Sequence, residues 1–96
     1  MSPNKRKKLY ILRNKLDKLD DSFIKLIKKR TLIVKKVLLL KEYKNQIVDK
    51  KRIRSILFQI KKKSLKNKID PKITARIWKN MIYAYINYER KNFRKK

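Results

Sequence analysis

From Leu9 onward, apolar residues recur at alternating intervals of three and four: Leu9, Leu12, Leu16, Leu19, Phe23, Leu26, then Ile33, Val37 and Leu40. A sustained repeat of this kind is the buried seam of a long helix packed against other helices. The repeat asks for an apolar residue at position 30, and the chain supplies Arg30. A guanidinium keeps its proton in a protein, so seating one on a seam is costly unless an anion meets it there. Two further cations, Arg13 and Lys41, lie near the same seam. Together they predict a helical bundle whose core holds a pocket for an acidic small molecule.

The rest of the chain also reads as helix. Ser2-Pro3 offers a serine cap followed by a first-turn proline, and nothing breaks the helix before about Glu42. Close to 40 helical residues span roughly 60 Å, whereas a compact chain of this size has a radius of gyration of about 12–13 Å. The remaining residues cannot cover so long a seam. A partner chain is therefore expected, and a two-fold homodimer is the commonest arrangement. Residues 43–48 read as a loop, with Asp49 as cap of a second helix carrying Ile53, Ile56, Leu57 and Ile60 and fading near Lys66. Asp70-Pro71 starts a third helix through Ile73, Ile77, Met81, Ala84 and Tyr88. Trp78, Ile82, Tyr85 and Glu89 form an adjoining stripe, and the tail from Arg90 is expected to fray. No two-residue alternation or glycine-bearing hairpin turn favours strands. The expected fold is all-α: one domain over residues 1–96, with its core at about 9–93, built of a long, a short and a medium helix.

The chain contains no Gly, Cys or His and only two Pro among 96 residues. Thiol nucleophiles, disulfides, zinc sites and imidazole bases are thereby excluded, and no cofactor or metal is expected. No apolar run approaches the roughly 20 residues of a membrane span, and the start lacks the apolar core of a signal peptide, so the cytoplasm is the expected location. The net charge of +25 invites a nucleic-acid reading. Against it, lysine outnumbers arginine 24 to 8, and specific phosphate and base recognition leans on arginine. Lys, Ile, Asn and Tyr are also the residues of A/T-rich codons, so drift in genome composition accounts for the same bias. Such a surface would still bind polyanions non-specifically at physiological salt.

Helix geometry sorts the three cations. At about 100° and 1.5 Å per residue, Lys41 projects within about 20° of Arg30 and roughly 16 Å further along the axis. Long side chains leaning toward each other could share a small dianion. Arg13 lies about 25 Å from Arg30 and is turned by roughly 100°, too far to reach the same ligand from the same helix. In an antiparallel dimer it could reach the partner's site. Two bland alternatives remain: exposed cations on a very basic surface, and Arg30 paired with Asp20 or Asp21 of a neighbouring chain.

At these residues the chain resembles the all-α (type II) chorismate mutases. Leu12-Arg13, Leu19-Asp20-Asp21-Ser22-Phe23, Arg30 and Lys41 are similar to that family's first helix at matching spacing. Asp49-x-x-Arg52 resembles its loop signature, and Ile69-Asp70 and Ile77-Trp78 match positions in its third helix. The resemblance, which covers about residues 9–93, implies an intertwined homodimer with two sites, each built from both subunits and taking a small dicarboxylate. It implies that Arg30 and the partner chain's copy of Arg13 hold the two carboxylates of chorismate. Lys41 would donate to a carboxylate and to the ether oxygen, and Glu89 would donate to that oxygen from the opposite side. Asp49 and Arg52 would shape the pocket around the ring hydroxyl. The reaction would be the pericyclic rearrangement of chorismate to prephenate, in the biosynthesis of phenylalanine and tyrosine.

Two positions depart from the pattern. Ile53 stands where the family carries a glutamate that accepts a hydrogen bond from the ring hydroxyl. Tyr85 stands where the mutases more often carry a small hydroxyl residue. Both resemble a sister group on the same fold, the isochorismate pyruvate-lyases that form salicylate, while Asp49 follows the mutase pattern. A basic helical nucleic-acid-binding protein is the non-enzymatic alternative.

Overall fold

Residues 1–94 are described by a computed structural model of the chain. Three α-helices follow one another: α1 (Pro3–Leu40), α2 (Lys50–Lys66) and α3 (Pro71–Asn92), with a single 3-10 turn (Lys44–Gln46) between the first two. No strand occurs among the described residues. The chain divides into two compact units, Met1–Val34 and Lys35–Lys96.

The first unit is the body of α1. The backbone N–H of Lys5 donates to Ser2 Oγ at 3.2 Å, so the serine caps the helix as its sequence predicts. The 38 residues of α1 make a rod about 57 Å long. The seam expected to be buried is exposed in the single chain: Leu12, Leu16, Leu19, Phe23, Leu26 and Ile33 all show about half or more of their surface. Arg30 is exposed with them. The periodicity is real, but burying a stripe of that length takes more surface than this chain possesses.

The second unit holds the last turn of α1 and the α2–α3 pair. Asp49 Oδ1 accepts from the Arg52 N–H at 2.9 Å, and Asp70 Oδ1 accepts from the Lys72 N–H at 2.9 Å, so both predicted caps form. α2 packs on α3, and Ile53, Ile56, Leu57 and Ile60 are the half-buried residues of its apolar face. At the end of that pairing the Ser64 and Thr74 hydroxyls meet at 2.6 Å. Among the described residues the buried apolar ones are few, namely Leu38, Ile47 and Ile86. A core this thin matches the expectation for a chain too short to bury much of its surface alone. The tail departs from expectation, because Arg90, Lys91 and Asn92 continue α3. Asn92 Nδ2 donates to the Tyr88 carbonyl at 2.8 Å and closes that last turn. The final two residues of the tail lie outside the described ones.

With no glycine available, α2 ends on a lysine. Lys68 takes a left-handed φ of 57°. The Ile69 N–H then reaches the Ser64 carbonyl at 2.9 Å and the Lys68 N–H reaches the Leu65 carbonyl at 3.2 Å. This is the double hydrogen bond by which helices commonly stop, a position usually given to glycine. Lys68→Gly should relieve the Cβ clash and raise stability by about 1 kcal/mol in urea denaturation. A drop in stability would show that the lysine side chain makes a contact worth more than the strain.

Candidate functional site

The second unit brings together two of the residues singled out by sequence. Lys41 is the first residue past α1, and its N–H bonds to the Leu38 carbonyl at 3.2 Å, which tightens the final turn. Glu89 lies on α3 and is buried, one helical turn beyond Tyr85. Lys41 Nζ lies 3.0 Å from Glu89 Oε1 and 3.3 Å from Oε2, so the ammonium straddles the carboxylate. Their side chains are 19% and 7% exposed, which places the pair largely out of water. It is the one ion pair among the described residues, in a chain with 32 basic and 7 acidic side chains. Partial desolvation strengthens the attraction, but it also means that neither charge is tolerated there alone.

The segment after Lys41 is more ordered than a plain loop. Gln46 Oε1 accepts from the N–H groups of both Glu42 and Tyr43, at 2.7 and 2.8 Å. Ile47 is 4% exposed and anchors the turn. The reading of residues 43–48 as a loop contains neither detail. The isolated Ile47-Val48 pair within a polar stretch was the available signal. The amide of Gln46 leaves a helix-end pair of N–H groups satisfied and holds the backbone next to Lys41. Lys41, Gln46 and Asp49 border a cleft of about 600 Å³.

Asp49 and Arg52 are exposed at the start of α2, where the carboxylate of the first caps the amide of the second. The Asp-x-x-Arg spacing is therefore also a capping geometry. Ile53 is half-buried and lines a second cleft, of about 350 Å³, with Val48, Arg54 and Ile86. Tyr85 is half-buried on α3. Arg13 and Arg30 belong to the first unit, and both are exposed on α1. A glutamate at position 53 would have placed a half-buried acid on the apolar face of α2. The isoleucine instead continues the apolar face of α2.

The chain is all-helical, with a buried Lys–Glu pair joining the end of its long first helix to its third. Residues 12–90 match the family model described as chorismate mutase type II. The match covers most of the chain, which belongs to that family. No curated protein and no solved structure gives a significant match.

The buried pair has a measurable consequence. Lys41→Met strands the Glu89 carboxylate and should lower stability by about 3 kcal/mol at neutral pH. Adding Glu89→Leu to that variant should restore most of the loss, because two apolar groups replace two charges. A single-variant loss below about 1 kcal/mol in urea denaturation would show that the pair is solvated like a surface bridge.

Proposed function

We propose that this chain is a chorismate mutase of the all-α type, acting as a cytoplasmic homodimer that converts chorismate to prephenate for aromatic amino-acid biosynthesis. The observation that carries the reading is the Lys41–Glu89 pair. Within a family named for this reaction, it presents an ammonium and a carboxyl group face to face from two separate elements. Dimerisation is supported by the half-exposed leucine stripe of α1 and by the thin core of the chain.

The chemistry suits the residues. A carbon–oxygen bond breaks while a carbon–carbon bond forms in one cyclic shift of electrons. No nucleophile, base, metal or redox group is needed for that step, and no atoms enter or leave. The protein must hold the compact reactive conformer and stabilise the negative charge that grows on the ether oxygen. In this proposal Arg30 and the partner subunit's Arg13 fix the two carboxylates. Lys41 exchanges Glu89 for a substrate carboxylate and the ether oxygen. The incoming dianion replaces Glu89 as counter-ion to Lys41. A carboxylic acid, unlike a carboxylate, can donate to the ether oxygen from the far side, and that is the form of Glu89 the proposal requires. Asp49 and Arg52 lie around the ring hydroxyl, and Ile53 and Tyr85 complete the wall.

Ile53 and Tyr85 also support a second reading, elimination of pyruvate from isochorismate to leave salicylate, using the same cations on an isomeric substrate. Incubating the purified protein with each compound separately distinguishes the two. Prephenate from chorismate supports the mutase, pyruvate and salicylate from isochorismate alone support the lyase, and no product from either contradicts both. For the mutase, Glu89→Gln, whose amide keeps a donor for the ether oxygen, should retain conversion of chorismate, whereas Glu89→Ala should lower it by about ten-fold or more. Full activity in Glu89→Ala would remove Glu89 from the mechanism.

A further inference from the structure

α2 carries an aromatic ring on the side that faces away from its packing partner. At about 100° per residue, Ile56 and Ile60 lie roughly 160° around the helix from Phe58. Those isoleucines are half-buried on the apolar face of α2, whereas Phe58 is 60% exposed. The ring is also not bare. Lys62 Nζ sits 5.5 Å from its centroid, within range of a cation–π contact. Lys51 and Leu65 project within about 20° of Phe58, Arg54 and Lys62 within about 40°, and Lys61 within about 60°. All four cations are exposed, and Leu65 is 58% exposed. No carboxylate lies anywhere along α2. The four cations extend over roughly 16 Å of helix axis, enough to follow a few nucleotides.

In a chain one-third basic, cations on any helix face carry little information. What distinguishes this face is a planar apolar ring at the centre of the cations, already holding one ammonium against its π surface. We propose that the outward face of α2 binds single-stranded nucleic acid, with a base stacked on Phe58 and the backbone phosphates following Lys51, Arg54, Lys61 and Lys62. Base–aromatic stacking flanked by cations is the sequence-tolerant way in which proteins hold single strands. A duplex offers phosphates to such a face but no free base. An anionic membrane is the poorer fit, because an interfacial helix needs a broad contiguous apolar face. The broad face of α2 is the one packed on α3, which leaves outside only Phe58 and Leu65. This activity would be separate from the rearrangement proposed above and does not rest on it.

Fluorescence anisotropy of a labelled uridine oligonucleotide, titrated with the full chain across a salt series, tests the assignment. Phe58→Ala should weaken binding by about five-fold or more while leaving the slope against salt unchanged. Lys62→Gln should lower that slope by about one. Phe58→Trp should retain affinity, and binding to a duplex RNA of equal length should be insensitive to Phe58→Ala. Phe58→Leu, which keeps an apolar side chain but removes the ring, should behave as the alanine variant does and provides the test if the alanine variant loses helicity. Equal affinity of wild type and both ring-deleted variants would overturn the proposal in favour of diffuse charge. So would an altered sedimentation coefficient in Phe58→Ala, which would make the face a subunit contact. Phe58-dependent binding to anionic phosphatidylserine vesicles, without Phe58-dependent binding to the oligonucleotide, would overturn it in favour of a lipid surface.

Discussion

A 38-residue helix with an apolar stripe along it is more surface than a chain of 96 residues can cover, and that mismatch governs everything else in the molecule. Leucine side chains left half in water along five or more turns forfeit a large part of the burial free energy that normally holds a domain together. The second unit cannot make up the deficit, since among its described residues Leu38, Ile47 and Ile86 are the only buried apolar ones. The proposed second copy, laid along the first, would supply the missing surface. In the proposed dimer Arg30 ceases to be an exposed residue among many. It becomes a fixed positive charge in a closing interface, where a dicarboxylate is the natural counter-ion.

The Lys41–Glu89 pair sets the electrostatics of the second unit. Local features converge on it: the tightened last turn of α1, the Gln46 amide satisfying Glu42 and Tyr43, and the buried Ile47 that pins the turn. Each holds Lys41 in place while α3 delivers Glu89. The arrangement answers a problem specific to this composition. With 32 cations and 7 acids, a buried ammonium is surrounded mostly by like charge, and Glu89 is the acid that faces it. A pericyclic reaction makes modest demands on side-chain chemistry. It asks for fixed charges and excluded water, which a chain without Cys or His can supply.

Much of this was legible in the sequence. The three helices follow from caps and periodicity: Ser2, Asp49 and Asp70 each cap as their position predicts, and Pro71 takes the first turn of α3. Lys41 stands out by its place near the α1 seam and Glu89 through the family resemblance; they are 48 residues apart, and the fold sets them in contact. What sequence could not give were features decided by tertiary context. The burial expected of the α1 seam is not found in the single chain. The left-handed turn at Lys68 was hidden because the usual marker, glycine, is absent from the whole chain. The ring of Phe58 lies off the apolar stripe of α2, and the sequence signal for it is an apolar residue out of phase with that stripe. The end of α3 ran on through Asn92 because a side-chain amide closes the last turn, a local bond that periodicity does not register.

The central claim is that two chains jointly build each site, with Arg13 from one and Lys41 and Arg30 from the other. Mixing two inactive variants tests it directly. Arg13→Ala and Lys41→Ala homodimers would each lack one essential cation in both sites, whereas a dimer containing one chain of each has one intact site. Unfolding the two variants together and refolding them should recover about a quarter of wild-type conversion of chorismate, because half the dimers are mixed and each has one working site. No recovery above the separate variants, with mixed dimers present by native mass spectrometry, would contradict a site shared between subunits.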